Sequence, residues 1–335
     1  MAETEAERRE RFRELFPEGI PRLWCPTISH YDRSGSIDAE RASAHLESIA
    51  PHIGGILLPG STGDGWDQTA DEKRALISTI VAPAARLGLP VLIGVLERTV
   101  EEMHAFVDSL TGIVSIPGDA VGIVVCAPTG ADRTESELSD AFATLLDRGL
   151  PTVLYQLPQI TENEFSADTA AALAERYPNF VMLKDSSGSD AVAKSGRDFR
   201  GVFLVRGAEL AYARWIAPSG PYDGFLLSTA NWIAPALRTL VDRPSSAADL
   251  SQRVDHAVSG AFALVSDVPV GNPFANSAKL MDHVMAYGWG AADVPGPRLR
   301  DGWVAPADLV AAAVELARDT RMLPDRGYLS AQAGN

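Results

Sequence analysis

The chain has little of what would mark a disulfide scaffold, a membrane protein or a nucleic-acid binder. Its 335 residues include 2 cysteines, Cys25 and Cys126, so we expect no disulfide framework and a reducing, cytoplasmic location. No apolar run is long enough to span a bilayer, and the charged first ten residues do not resemble a secretory signal. The net charge of −15 argues against nucleic acid or an anionic membrane surface as a partner. The charge does not exclude a small anionic substrate, because local groups in a cleft decide whether one binds.

Two further absences narrow the class of enzyme. No Gly-x-Gly-x-x-Gly turn follows the first apolar run, so an open dinucleotide-binding sheet is not favoured. No two histidines have the His-x-x-x-His or similar spacing of a metal site, so the sequence predicts no bound metal and no metal-dependent aldolase. Most of the histidines lie in predicted helices, where we expect them to be solvated or packed in the core. The six are His30, His45, His52, His104, His256 and His283.

What the chain does contain is a regular alternation of apolar runs and segments with helical spacing. Eight such units follow one another from residue 21, and eight is the number that closes a parallel barrel. We predict a (β/α)8 TIM barrel over residues 21–242, an N-terminal helical extension over 1–20 and a C-terminal helical domain over 243–335. The predicted strands are 23–28, 55–59, 90–95, 121–126, 151–155, 181–184, 202–205 and 224–227. The predicted barrel helices are 38–50, 70–87, 99–110, 135–146, 167–177, a weak one from 190, 208–217 and 232–241.

One lysine stands at the end of the sixth predicted strand. Side chains alternate along a strand, so Lys184 shares a face with Met182, whereas Leu183 and Asp185 point the other way. An ammonium at the end of an apolar strand is poorly hydrated, which favours the neutral amine that attacks carbonyls. A lone lysine of this kind more often buries its stem and extends its head to solvent. The rest of the sequence has to favour the catalytic interpretation.

Other polar residues follow the strand ends, where the active site of such a barrel lies. A hydroxyl-rich turn, Gly60-Ser61-Thr62, follows strand two, and Tyr155 ends strand five. Each alone is commonly structural, but together they favour Schiff-base chemistry. Lys184 would condense with a ketone, Tyr155 would move protons, and the turn would bind a carboxylate. The further residues that we expect to contact substrate are Ser186, Gly207, Glu209 and Ser228.

Four motifs resemble those of one enzyme family. They are Gly60-Ser-Thr-Gly63-Asp64, Tyr155-Gln-Leu-Pro158, Lys184-Asp-Ser-Ser-Gly188 and Ser228-Thr-Ala-Asn231. Their sequence and order resemble the dihydrodipicolinate synthase/N-acetylneuraminate lyase family of class I aldolases, from about residue 21 to 241. The resemblance implies a barrel that binds pyruvate or another 2-oxo acid as an imine on Lys184, needs no further cofactor, and assembles as a homotetramer or homodimer. Tyr155 matches the family's catalytic tyrosine, and Ser61 and Thr62 match its pyruvate-carboxylate pair.

The chain also departs from the synthase branch of that family. Ile160 stands where that branch has an arginine for the aldehyde's carboxylate, and Cys126-Ala-Pro-Thr-Gly130 replaces the loop that carries its tyrosine pair. We therefore expect a lyase or aldolase that acts on another 2-oxo acid rather than dihydrodipicolinate synthesis. Arg98 is the nearest replacement cation.

The residues leave two alternative functions open. A hydro-lyase could eliminate water from a 2-oxo-3-deoxy sugar acid through the same imine, because it would use the same Lys184 and Tyr155. A non-catalytic 2-oxo-acid binder could keep the pocket without turnover, since the tyrosine pair is missing.

Overall fold

The computed structural model describes residues 2–218, 220–244 and 247–330 and has a closed barrel of eight parallel strands. The predicted fold class is therefore confirmed. The strands are β1 (Leu23–Pro26), β2 (Gly55–Leu58), β3 (Val91–Val95), β4 (Gly122–Cys126), β5 (Thr152–Gln156), β6 (Phe180–Asp185), β7 (Phe203–Arg206) and β8 (Gly224–Leu226). The helices up to the end of the barrel are α1 (Ala2–Leu15), α2 (Ala39–Ile49), α3 (Ala70–Arg86), α4 (Val100–Ser109), α5 (Glu135–Leu146), α6 (Pro158–Thr161), α7 (Ala167–Arg176), α8 (Ala191–Lys194), α9 (Tyr212–Trp215) and α10 (Ala230–Asp242). They are followed by α11 (Ala248–Leu264), α12 (Pro273–Tyr287) and α13 (Ala307–Asp319).

The alternation of side chains separates two apolar layers. Met182 and Tyr155 belong to the cluster that fills the barrel, whereas Leu183 and Leu154 belong to the layer under the helices. The predicted facing of Met182 and Leu183 is thus confirmed. Cys25 and Cys126 are both free and buried.

The sixth and seventh units are far less helical than their spacing predicts. The helix predicted over residues 208–217 is wrong in extent, because α9 has only 4 residues. Leu210 and Ala211 have φ of 73° and 56°, in the left-handed region that a right-handed helix cannot include. The helix predicted from residue 190 is likewise reduced to the 4 residues of α8.

Helix α1 packs against the amino-terminal end of the barrel. Arg8 is fully buried, and its guanidinium donates to the carbonyl oxygens of Ala174, Tyr177 and Phe180 at 2.5, 2.8 and 2.8 Å. Burial lowers the pKa of Arg8 to about 10, so it remains charged at neutral pH. The helix therefore contributes to the floor of the barrel, opposite the strand ends that hold the candidate site.

The C-terminal helices pack on one another and on α10. Helix α12 also contacts the 3-10 turn Ser61–Gly63 that follows β2. The C-terminal segment thus touches the end of the barrel where the strands finish. Among the described residues no helix has the length and apolar character needed to cross a membrane.

Candidate active site

A cavity of about 640 Å³ opens at the carboxyl ends of the strands. The predicted residues that line it are Ser61, Thr62, Tyr155, Lys184, Ser186, Gly207, Glu209 and Ser228. Gly60 is not among the lining residues. Its carbonyl instead accepts from the amides of Gly63 and Gly65 at 3.0 and 2.9 Å, which closes the turn. The structure thus brings together all the predicted residues except Gly60.

Lys184 and Tyr155 lie side by side on the floor of this cavity. They are register partners in β6 and β5, each is 3% exposed, and the Nζ atom of Lys184 lies 3.8 Å from the centre of the Tyr155 ring. A Cβ atom at Gly207 would come within 2.8 Å of Lys184 Cε and 2.0 Å of Ser186 Oγ. Glycine at this position therefore leaves room for the lysine. Within the described part of the chain, the amine has no hydrogen-bond partner and is open to an incoming carbonyl.

The hydroxyl turn after β2 is arranged to donate. The indole Nε1 of Trp66 donates to Ser61 Oγ at 2.9 Å, so the proton of Ser61 stays available for a carboxylate. Thr62 is 4% exposed and borders the same cavity. Trp66 was not predicted, because an aromatic residue eight positions past a strand carries no strand-end signal.

The carboxylate of Glu209 is already occupied by protein donors. It accepts from Ser228 Oγ at 2.6 Å, from the Thr229 amide at 3.1 Å and from Thr229 Oγ1 at 2.8 Å. The phenol of Tyr212 donates to it at 2.8 Å, and burial followed by the charge of Glu209 raises the pKa of Tyr212 well above its usual value. Glu209 thus lines the cavity while its carboxylate already holds these four hydrogen bonds, and its contact with substrate stays a prediction. Because Ser228 donates its proton to Glu209, it offers substrate only acceptor lone pairs.

The outer part of the cavity combines apolar and charged side chains. Ile160 lies on α6 and lines the wall, as does the exposed Arg98 after β3. The guanidinium of Arg98 has no ion pair or hydrogen bond to any residue that the structure describes. Glu97 instead pairs with the buried Lys73 at 2.6 Å. Sequence reasoning missed further lining residues, several of them from the start of α12: Trp66, Asp67, Glu162, Gly271, Asn272, Pro273 and Phe274.

Two histidines meet away from this cavity, although their sequence spacing predicts no pair. His30 Nε2 and His45 Nδ1 lie 3.1 and 3.0 Å from the oxygens of Asp282. Arg41 also lies 2.5 Å from that carboxylate. Burial lowers the pKa of His30 to about 3 and that of His45 to about 4, so both are neutral at pH 7. Because Arg41 already balances Asp282, the group is a buried ion pair flanked by imidazoles.

Comparison with known proteins identifies the family. The sequence profile described as "Dihydrodipicolinate synthetase family" matches residues 20–246. The chain belongs to this family. The resemblance recognised from the four motifs is therefore confirmed. Members of this family are class I pyruvate-dependent aldolases and lyases.

The similar proteins carry different names. The 4-hydroxy-tetrahydrodipicolinate synthase of Rhizobium meliloti is 30% identical over 177 residues, which are 52% of this chain and 56% of that protein. The chain thus spans about half the length of this curated relative. The Sulfolobus sulfataricus 2-keto-3-deoxygluconate aldolase, solved with D-KDPG, has a TM-score of 0.74 at 18% identity, over 91% of this chain and 100% of that chain. The E. coli K12 prophage protein YagE, solved with pyruvate, has a TM-score of 0.72 at 19% identity, over 90% of this chain and 99% of that chain. At these identities the structures show a shared fold.

The Glu209 network yields a first prediction. Glu209→Gln replaces one acceptor oxygen by an NH₂ group that faces hydroxyl donors, so the free energy of unfolding should fall by about 1–3 kcal/mol. Urea denaturation measures the change. Glu162→Gln is the matched control, because Glu162 is exposed at the same cavity and its carboxylate accepts no hydrogen bond from a described residue. Equal stability of the two variants would contradict the network.

Proposed function

We propose that the protein is a class I lyase that cleaves or forms a 2-oxo acid through an imine on Lys184. The observation that carries the proposal is the position of the lysine amine, which is buried beside Tyr155 and faces a cavity with a donating hydroxyl turn. The chemistry follows from these groups. The amine adds to the 2-oxo carbon and water leaves, which gives the imine.

The imine then acts as an electron sink. When the C3–C4 bond breaks, its electron pair moves into the imine to form an enamine, and the C4 hydroxyl loses its proton as the aldehyde departs. Tyr155 relays this proton: its phenolic oxygen accepts the proton of the C4 hydroxyl, while its own proton passes on towards C3 of the enamine. Protonation of the enamine at C3 and hydrolysis of the imine release pyruvate. Ser61 and Thr62 hold the carboxylate of the 2-oxo acid, and Ser186 lies beside the lysine.

The second substrate meets the outer part of the cavity. We propose that it is not aspartate semialdehyde, because the aliphatic Ile160 lines the wall where a carboxylate would need a cation. The Rhizobium meliloti relative is named a 4-hydroxy-tetrahydrodipicolinate synthase and so gives this point no support. Its support is Ile160, together with the apolar Leu157 and Trp66, which suit neutral hydroxylated or aromatic aldehydes.

Two further parts of the proposal concern cofactor and assembly. The lysine imine supplies the electron sink, so activity should survive treatment with a chelator. We also propose a homodimer or homotetramer, which the family resemblance implies and which light scattering in solution would test.

The imine itself is directly testable. Incubation with pyruvate and borohydride should add one reduced pyruvate per chain, mapped by mass spectrometry to the peptide that contains Lys184. Lys184→Arg should abolish the label, because a guanidinium stays protonated and does not condense. Lys194→Arg is the control, since Lys194 lies outside the cavity, and should keep the label. Absence of label at saturating pyruvate, or a label on another lysine, would refute the proposal.

The role of Tyr155 predicts a separation of binding from turnover. Tyr155→Phe removes the phenolic proton but keeps the ring beside Lys184, so imine trapping should persist while turnover falls by about 10²–10⁴-fold. Single-turnover trapping and steady-state pyruvate release measure the two quantities. Unchanged turnover would assign the proton transfer to a water or another group, although Glu209 is already committed to four protein donors.

A panel of 2-oxo-3-deoxy acids tests the reaction and the second substrate together. Pyruvate release and dehydrated product are followed separately, so that aldolase and hydro-lyase activities are distinguished. Arg98→Ala should lower kcat/KM roughly three- to ten-fold for acids with a terminal carboxylate and leave neutral ones unchanged, since an exposed guanidinium gives a modest, screened attraction. Efficient condensation of pyruvate with aspartate semialdehyde would show that Ile160 does not exclude it.

A further inference from the structure

The Ser61-Thr62 turn, which we propose binds the substrate carboxylate, is held in place by contacts with residues outside the barrel. Asp64 closes the turn in the left-handed conformation, with φ of 61°. Its carboxylate accepts from Tyr31 at 2.9 Å and forms a buried ion pair with Lys279 of α12. The two side chains of that ion pair are 6% and 3% exposed. An unpaired charge there would be strongly destabilising, so the pair fixes Asp64 in place.

The same helix reaches the other end of the turn. Asn272 is the N-cap of α12, where its side-chain oxygen accepts from the Ala275 amide at 2.8 Å. Its Nδ2 donates to the carbonyl of Ser61 at 3.3 Å. Asn272 and Lys279 lie seven residues apart, two helical turns, and so bind both ends of the segment that carries Ser61 and Thr62.

We propose that Lys279 is a positioning residue for the 2-oxo-acid carboxylate, acting through Asp64 on the Ser61-Thr62 turn. This inference rests on the proposed function. Lys279 does not line the cavity, so it affects substrate only through the turn. Misplacement of a binding group by about 1 Å costs up to roughly a hundred-fold. Loss of the ion pair should therefore weaken pyruvate binding more than it weakens the chemistry at Lys184.

The test uses the double variant Asp64→Asn/Lys279→Met. It leaves no unpaired buried charge, and asparagine tolerates the left-handed conformation, so the variant should fold. Its half-saturating pyruvate concentration for borohydride trapping should rise roughly ten- to hundred-fold. Trapping with hydroxyacetone, a ketone without a carboxylate, should be unchanged, because Lys184 itself is undisturbed.

The matched control is Lys73→Met/Glu97→Gln. It removes another buried lysine–carboxylate pair, whose members do not line the cavity, and should leave both half-saturation values unchanged. An unshifted pyruvate value in the Lys279 variant, an equal shift for hydroxyacetone, or an equal shift in the control would each overturn the inference. If the unmodified protein shows no trapping with pyruvate, the proposed function fails instead, so the two failures are distinguishable.

Discussion

Closure of a parallel sheet into a barrel is the constraint on which the rest of this structure depends. All eight strands then end at one rim, and every second side chain points into the interior. Lys184 and Tyr155 occupy inward positions on adjacent strands, which places an amine against an aromatic ring in the floor of the cavity. A shift of β6 by one residue would exchange Lys184 for Asp185 and remove the amine from the site.

The polarity of the candidate site is set by hydrogen bonds between its lining residues. Trp66 donates to Ser61, which frees the serine proton, whereas Glu209 takes the proton of Ser228. Two chemically identical hydroxyls are thus given opposite roles, one as donor and one as acceptor. A carboxylate suits the first, and a hydroxyl of the substrate suits the second. The donor or acceptor character of each hydroxyl in the cavity therefore depends on the side chain to which it is hydrogen-bonded.

The sequence predicted the barrel and most of the site because both depend on local patterns. Alternation within a strand places Lys184, and strand ends place Ser61 and Tyr155, without knowledge of the helices. What it could not predict depends on contacts distant in sequence. The commitment of Glu209 to four donors requires the packing of Tyr212 and Thr229 around it. The meeting of His30 with His45 requires the position of Asp282, which lies 252 residues beyond His30.

The two contacts of α12 with the hydroxyl turn have a consequence for biosynthesis. They join residues that are 211 and 215 positions apart, so they form only after the chain has been synthesised through α12. All eight strands precede residue 242, so the barrel can pair its strands earlier, while the hydroxyl turn still lacks its contacts with α12. On the ribosome, the barrel can thus form before α12 holds the hydroxyl turn, so the candidate site reaches its described geometry only after this helix has packed.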